Sequence, residues 1–231
     1  MARRPLRLAH RGDWRRAPEN TLAAFQAALR VPGCDGLEFD VRIAADGTPV
    51  VIHDETLERV QGRPDLVGDL PPSALKALDV PALSTVLEAV PNAAWLDIEL
   101  KGLHGQDVVE VIAGARAEGS RLGRAVVSSF EPDTLERVGS ARPRWARWLN
   151  VDDLAPATIA RAVELRCAGM SAEWTAIDRT SAARVTAAGL DLAAWTVRRT
   201  STYRRLSNLG VIAICAEAAA LDRGSGVRIG V

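Results

Sequence analysis

Short apolar runs alternate with amphipathic segments along almost the whole of this 231-residue chain. The runs recur about every 25–30 residues, a spacing typical of a strand followed by a crossover helix. The predicted strands are Leu6–His10, Gly36–Val41, Pro49–Asp54, Ala94–Leu100, Ala125–Phe130, Trp145–Val151, Gly169–Trp174, Leu190–Val197 and Val211–Ala216. The predicted helices are Thr21–Leu29, Leu83–Ala89, Val108–Ala117, Glu131–Val138, Ala157–Leu165, Ala182–Ala188 and Tyr203–Leu209. This alternation indicates βαβ units and therefore a parallel sheet.

The predicted strands number one more than a (β/α)8 barrel needs. The excess has a local cause, because the segment between Gly36–Val41 and Pro49–Asp54 is too short for a crossover helix and contains Asp46-Gly47, a hairpin signal. We therefore predict an α/β chain with a TIM-type (β/α)8 barrel and an antiparallel hairpin return around residues 36–54. No linker or low-complexity stretch divides residues 1–231, so we expect a single domain.

The hairpin gives a finer expectation about register. If Ala45 and Asp46 lie at the centre of the turn, paired positions sum to about 91, and His53 lies opposite Glu38. Residues directly opposite each other share a face of the sheet, so the imidazole and the carboxylate would project in the same direction.

Composition restricts the partners. Lys+Arg and Asp+Glu are balanced at 29 each, so no global charge favours nucleic acid or an anionic membrane. Cys34, Cys167 and Cys215 are odd in number and far apart, as expected for reduced thiols. We find no segment with the length of a signal peptide's apolar region or of a membrane span. We expect a cytoplasmic protein with no integral membrane segment; the sequence leaves its oligomeric state open.

Carboxylates occur at the ends of two apolar strands. Glu38 and Asp40 are two positions apart, so they project from one face, and Glu99 with Lys101 repeats this spacing. Carboxylates on one face repel each other unless a cation or a proton lies between them. Three that converge on one rim would suit a hard cation, Mg²⁺ or Ca²⁺. The alternative, that they face solvent, is weaker for a parallel sheet covered on both faces.

Two of the three histidines also end apolar runs. His10 and His53 are each followed by a charged residue, and two histidines beside a metal fit general acid–base catalysis. Arg11 and Lys101 would add positive charge to hold a phosphate group. His104 lies in a predicted loop without such a placement. Together these residues predict cleavage of a phosphate ester.

Several motifs match one family in their order along the chain. They are "AHRG" (9–12), "PENT" (18–21), "LEFDV" (37–41), "DGTPVVIHD" (46–54), "VPALSTVLE" (80–88), "DIELK" (97–101), "SSF" (128–130) and "AAWTV" (193–197). With these the chain resembles the glycerophosphodiester phosphodiesterase family. The resemblance implies a barrel related to phosphatidylinositol phospholipases C, one divalent cation (Mg²⁺ or Ca²⁺), and a small-molecule glycerophosphodiester as substrate. Its products would be glycerol 3-phosphate and an alcohol such as choline or ethanolamine.

The resemblance also implies roles for individual residues. They are His10 and His53 as the acid–base pair, Glu38, Asp40 and Glu99 as metal ligands, and Arg11 and Lys101 as phosphate ligands. Glu19 and Asn20 would border the site, with Glu19 orienting Arg11 or a metal-bound water. Trp195 and, more weakly, Phe130 would either form the wall of the pocket on the glycerol side or pack inside the barrel.

Three questions stay open at this point. The segment "VIAICAEAA" (211–219) departs from the family's Val-Asp-Gly and Thr-Asp pattern, which leaves the shape of the last loop open. No metal ligand or histidine of the family is lost there, so we expect activity. A lysophospholipase D is an alternative, with an apolar groove suggested by Trp14, Trp174 and Trp195. A non-catalytic barrel that binds phosphate or metal is a second alternative.

Overall fold

A computed structural model describes residues 4–102 and 106–222, so His104 lies outside the described residues. The strands are β1 (Leu6–His10), β2 (Gly36–Ile43), β3 (Pro49–Val51), β4 (Trp95–Leu100), β5 (Ala117–Glu118), β6 (Arg121–Leu122), β7 (Ala125–Ser129), β8 (Arg147–Val151), β9 (Gly169–Glu173), β10 (Asp191–Val197) and β11 (Ala213–Ala216). The helices are α1 (Leu22–Leu29), α2 (Glu58–Gln61), α3 (Pro72–Lys76), α4 (Leu83–Ala89), α5 (Gln106–Arg116), α6 (Pro132–Ala141), α7 (Pro156–Glu164), α8 (Arg179–Ala187), α9 (Thr200–Asn208) and α10 (Ala218–Leu221).

Eight parallel strands close into a barrel. Their order is β1, β11, β10, β9, β8, β7, β4 and β2, and β2 pairs back with β1. β3 pairs antiparallel with β2 and is the additional strand of the predicted hairpin. Helices lie in the connections between successive barrel strands. The prediction of a TIM-type (β/α)8 barrel with an antiparallel return is confirmed.

The register of this hairpin differs from the expectation. Val41 pairs with Val51, so paired positions sum to 92 rather than 91. The expected pairing of His53 with Glu38 is therefore wrong. β3 also ends at Val51 instead of continuing to Asp54, and His53 lies in the bend that follows it.

The turn explains the shift. The backbone N–H of Ala44 donates to the carbonyl of Thr48, and three residues centred on Asp46 lie between them. Gly47 adopts φ +91°, the left-handed conformation that completes a three-residue hairpin loop. A loop of three residues moves every pair by one position compared with a two-residue turn.

The barrel interior changes from apolar to polar along the strands. One buried apolar cluster joins alternate strand residues: Leu8, Val126, Trp148, Ala193 and Ala213. Two positions further on, the same strands carry His10, Ser128, Asn150, Trp195 and Cys215. Residues two apart in a strand face the same side, so these side chains also point into the barrel. The carboxyl-terminal half of the barrel therefore encloses polar groups above an apolar base.

Two further findings concern the cysteines and the helices. Cys34, Cys167 and Cys215 are free thiols. Among the described residues, no helix combines the length and the apolar character needed to cross a membrane.

Gly36 tests the close packing of the barrel strands. A Cβ atom added at this position would lie 1.9 Å from the carbonyl oxygen of Trp95. We expect Gly36→Ala to lower the thermal unfolding midpoint by about 5 °C or more, because overpacking typically costs ~1–3 kcal/mol. Gly114→Ala in α5 is the matched control, since nothing lies within 4 Å of its added Cβ. It should leave the midpoint unchanged or raise it. An unaltered midpoint for Gly36→Ala would contradict this packing.

Candidate active site

A cavity of about 230 Å³ opens at the carboxyl-terminal end of the barrel. His10, Glu38, His53, Glu99 and Lys101 are among the residues that line it. They come from β1, from β2, from the end of β4 with the residue that follows it, and from the bend after β3. In barrels of this type the carboxyl ends of the strands carry the reactive groups, so the cavity is the candidate active site.

Three carboxylates meet on one side of the cavity. Glu38, Asp40 and Glu99 each place one oxygen within 4.8 Å of the others, and all three side chains are buried. Burial, reinforced by the neighbouring acids, raises the pKa of Glu38 well above its ordinary value. The same causes raise the pKa of Glu99 to about 7. This oxygen donor set, with its excess of buried negative charge, fits a divalent cation.

Two cations contact the cluster. Nε of Arg11 lies 3.1 Å from Oδ2 of Asp40, and Nζ of Lys101 lies 3.2 Å from Oδ1 of the same carboxylate. Lys101 also pairs with Glu99. Burial alone would raise the pKa of Asp40, but the charges of Arg11 and Lys101 outweigh it and hold that pKa below its usual range. Asp40 is therefore ionised, while the raised pKa values of Glu38 and Glu99 make these two carboxyls bind protons more readily than ordinary ones.

His10 is held by a residue that the sequence analysis missed. Its Nδ1 lies 2.5 Å from Oε1 of Glu217, and Nε of Arg198 donates to the other oxygen of Glu217 at 2.7 Å. Burial opposes ionisation of Glu217, but the hydrogen bond with His10 prevails and lowers its pKa to about 2. Nε2 of His10 lies 3.8 Å from Oε2 of Glu38. The available signal for Glu217 was its position directly after the last barrel strand.

His53 has a corresponding arrangement. Its Nδ1 lies 2.6 Å from Oδ1 of Asp54, whose second oxygen accepts a hydrogen bond from Nε of Arg59 at 2.6 Å. Burial is the main cause that lowers the pKa of His53, and the nearby charge of Arg11 adds to it. The imidazole is therefore neutral at neutral pH. Each histidine thus has a carboxylate at Nδ1 and an arginine behind that carboxylate.

Glu19 connects Arg11 to this arrangement. Its carboxylate accepts a hydrogen bond from Arg11 at 3.1 Å and two from Arg59, at 2.7 and 2.9 Å. Arg59 consequently bridges Glu19 and Asp54, the carboxylates that contact Arg11 and His53. This contact places Glu19 where it can orient Arg11.

Asn20 contacts the carboxylate cluster directly. Its Nδ2 donates to Oδ2 of Asp40 at 2.9 Å, and its backbone adopts φ +59°. The residue that caps α1 is Thr21, whose hydroxyl accepts from the backbone N–H of Ala24. Asn20, which directly precedes this cap, turns its side chain toward the site, as expected for a residue that borders it.

An aromatic pair lines another part of the cavity. The rings of Phe130 and Trp195 have centroids 5.5 Å apart and meet edge to face at 73°. Nε1 of Trp195 donates to the backbone carbonyl of Ser171 at 2.9 Å, which fixes the indole. Trp14 and Trp174 are not among the residues that line this cavity. Trp14 is exposed, and Trp174 packs against the largest cluster of buried apolar residues.

Comparisons with known proteins agree on one family. The model of the glycerophosphoryl diester phosphodiesterase family matches residues 10–220. A glycerophosphodiester phosphodiesterase of Caldanaerobacter subterraneus is 34% identical over 152 residues, which are 59% of this chain and 62% of that protein's length. A glycerophosphodiester phosphodiesterase of Bacillus subtilis is 25% identical over 91% of this chain and 83% of its own length.

Solved structures give the same result. A phosphodiesterase of Oleispira antarctica, in complex with the product sn-glycerol-3-phosphate, is 28% identical, with a TM-score of 0.82 over 92% of this chain and 93% of its own. A glycerophosphodiester phosphodiesterase of Thermotoga maritima is 25% identical, with a TM-score of 0.80 over 94% of this chain and 96% of its own.

The buried acids predict an unusual pH dependence of stability. Burial raises the pKa of Glu99 and of Asp97 to about 7 from ordinary values of 4.5 and 3.8. Each group binds its proton more tightly in the folded state, so this stability is present below about pH 4 and lost as the pH rises through about 7. We expect protein treated with EDTA to unfold about 5 °C lower at about pH 8 than at about pH 5.

The measurement is thermal unfolding followed by circular dichroism. Glu99→Gln should reduce the difference between the two pH values, whereas Glu88→Gln, an exposed position on α4, should not. An equal pH dependence of the midpoint in Glu99→Gln and in the wild type would show that Glu99 is not protonated in the folded protein.

Proposed function

Because this chain belongs to the glycerophosphoryl diester phosphodiesterase family, we propose that it hydrolyses glycerophosphodiesters to glycerol 3-phosphate and an alcohol. The observation that carries the proposal is the pair of carboxylate-held imidazoles of His10 and His53 around one cluster of buried acids. Glycerol 3-phosphate in the related Oleispira antarctica structure supports the product.

We propose that Glu38, Asp40 and Glu99 hold a divalent cation, Mg²⁺ or Ca²⁺. The support is the donor set itself, three buried carboxylates close enough to share one ion. When bound, such an ion polarises the phosphoryl oxygens and lowers the pKa of the attacking hydroxyl. Arg11 and Lys101, which already contact this cluster, would add positive charge for the phosphate oxygens.

The two histidines would move the protons. One imidazole accepts the proton of the attacking hydroxyl as the new phosphorus–oxygen bond forms, and the other donates a proton to the leaving alcohol as the old bond breaks. If the attacking group is the substrate's own glycerol hydroxyl, a cyclic phosphate results. Water then opens the ring with the proton transfers reversed, which restores both imidazoles. The carboxylates of Glu217 and Asp54 would keep each ring oriented through these steps.

The shape of the site favours small diesters over the alternatives. A lysophospholipase D would need an apolar groove for an acyl chain, yet Trp14 and Trp174 lie outside the cavity, which measures about 230 Å³. A module that only binds phosphate or metal would not need two imidazoles, each held by a carboxylate and an arginine. Hydrolysis of a small glycerophosphodiester is the function that uses all of these groups.

We also propose that the protein works in the cytoplasm. The support is that Cys34, Cys167 and Cys215 are free, as is usual in a reducing compartment.

A substrate panel tests the proposed activity. Glycerophosphocholine, glycerophosphoethanolamine, glycerophosphoglycerol and lysophosphatidylcholine are assayed with Mg²⁺, with Ca²⁺ and with EDTA. We expect turnover of the water-soluble diesters, loss of it in EDTA and its return with added metal. Choline release from the lyso-lipid alone would favour the lysophospholipase D alternative. No turnover of any substrate with either metal would favour the alternative of a barrel that only binds phosphate or metal. Activity that EDTA does not change would contradict the proposed metal dependence.

Substitutions of the two histidines, and of the arginine that supports the carboxylate at His53, test the acid–base pair. His10→Ala and His53→Ala should each lower kcat by about 100-fold or more, because a positioned acid or base typically contributes ~10²–10⁴-fold. Arg59→Ala should lower kcat by a smaller factor, about tenfold, because Asp54 and Glu19 lose the guanidinium that holds them.

Arg63→Ala is the matched control for Arg59→Ala. The two arginines are similarly exposed, but Arg63 pairs with Asp65, away from the cavity. Its kcat should equal that of the wild type. Wild-type turnover in either histidine variant would refute the acid–base role, and equal losses for Arg59→Ala and Arg63→Ala would refute the positioning role of Arg59. Thermal midpoints check that each variant is folded.

A further inference from the structure

The cavity has a second polar surface, formed by Asn150 and Ser171, which we call the floor. Both residues line the cavity, and they are direct neighbours across β8 and β9. They are 5% and 1% exposed. Neither belongs to the carboxylate cluster or to the histidine pairs, and neither lies in the motifs that carry the family resemblance.

Asn150 has an unsatisfied polar atom. Its side-chain Oδ1 is buried and has no hydrogen-bond partner within the described part of the chain. Leaving a buried polar atom unpaired is costly, and the large majority of buried side-chain polar atoms in folded proteins have a partner. Because the side chain faces the cavity, the missing partner is a group that occupies the cavity.

The surroundings of the floor indicate what kind of group fits. Asp97, which also lines the cavity, is already engaged, since Ser128 donates its hydroxyl to Oδ1 of Asp97 at 2.6 Å. The floor itself presents an amide and a hydroxyl, both neutral. An alcohol hydroxyl has one O–H that can donate to the unpaired amide oxygen and lone pairs that can accept from a neighbouring donor, so it matches this neutral surface.

The aromatic pair complements the floor. Trp195 is hydrogen-bonded to the backbone of Ser171, so the indole is fixed next to the floor, and Phe130 packs against it. An occupant here meets apolar ring surface on one side and hydrogen-bonding groups on the other. Short polyols have this character, with C–H bonds on the carbon chain and hydroxyls at its edge.

We propose that the floor binds the terminal hydroxyl of the substrate's glycerol moiety, with Asn150 as a specificity-determining residue. The proposal rests on the proposed function, in which the phosphate group is held beside the carboxylate cluster. Of the two glycerol hydroxyls, the one on C2 is adjacent to the phosphoester carbon and can attack the phosphorus. The hydroxyl on C1 is the farther one and is left for the floor.

This assignment also orients the diester. The methyl groups of choline donate no conventional hydrogen bond, so they cannot satisfy Asn150. The glycerol end therefore lies inside the barrel, and the alcohol end lies toward the mouth, where its identity matters less.

Two substrates test the proposal. One is sn-glycero-3-phosphocholine, and the other is its propane-1,2-diol analogue, which lacks only the C1 hydroxyl and keeps the C2 hydroxyl. For the wild type we expect kcat/KM to fall by about 10–100-fold from the first to the second, as expected when a buried polar group is left unpaired. For Asn150→Leu we expect the same loss on glycerophosphocholine and no further loss on the analogue.

The readout is the ratio of kcat/KM for the two substrates, which a general loss of folded enzyme does not change. Ser171→Ala should also lower this ratio. If Asn150→Leu does not fold, the ratio measured for Ser171→Ala tests the proposal instead. Ser129→Ala is the matched control, because the Ser129 hydroxyl donates to the carbonyl of Leu100. Its ratio should equal that of the wild type.

Three outcomes would overturn the proposal. The first is that the wild type turns over both substrates equally well, and the second is that Asn150→Leu and Ser171→Ala slow both substrates by the same factor. In either case the floor does not bind the C1 hydroxyl, and the proposed function still stands. If the wild type turns over neither substrate with Mg²⁺ or Ca²⁺, the proposed function fails, and this inference fails with it.

Discussion

Repulsion among the carboxylates of Glu38, Asp40 and Glu99 is the interaction on which the rest of the site depends. These groups are buried together because period-two alternation directs them into a closed barrel whose lower half is already filled by apolar side chains. Arg11 and Lys101 offset part of the charge, and protons on the acids offset more of it in the absence of metal. A divalent cation would replace those protons, and we propose that substrate binding and phosphate activation follow from that exchange.

The two proton carriers reach this cluster from distant parts of the chain but are held in the same way. His10 ends the first strand and is fixed by Glu217, which follows the last strand, so this pair forms where the barrel closes. His53 is fixed by its own neighbour, Asp54, after the hairpin. An arginine behind each carboxylate restrains it, so each ring keeps Nδ1 engaged. The pair fits a reaction in which one group takes a proton while another gives one.

Much of this site follows from local pattern. The two-residue spacing of Glu38 and Asp40, repeated at Glu99, was enough to predict a shared face and a converging cluster, and the strand–helix alternation predicted the barrel. What escaped prediction depends on long-range or turn geometry. Glu217 meets its partner 207 positions away, and the hairpin register shifted by one because a loop of three residues replaced the expected two. The role proposed for Asn150 could not be predicted from the sequence, since a single amide in an apolar strand gains its meaning only from the side chains and the cavity around it in the fold.

The most direct test of the central claim is the stoichiometry of Mn²⁺ binding, measured by electron paramagnetic resonance on chelator-treated protein. Mn²⁺ prefers the same oxygen ligands as Mg²⁺ and reports its own binding. A single cation shared by the three carboxylates predicts one bound Mn²⁺ per chain in the wild type and greatly weakened binding in folded Glu38→Gln and Glu99→Gln. Unaltered binding in both variants, or none in the wild type, would contradict a metal site at this cluster.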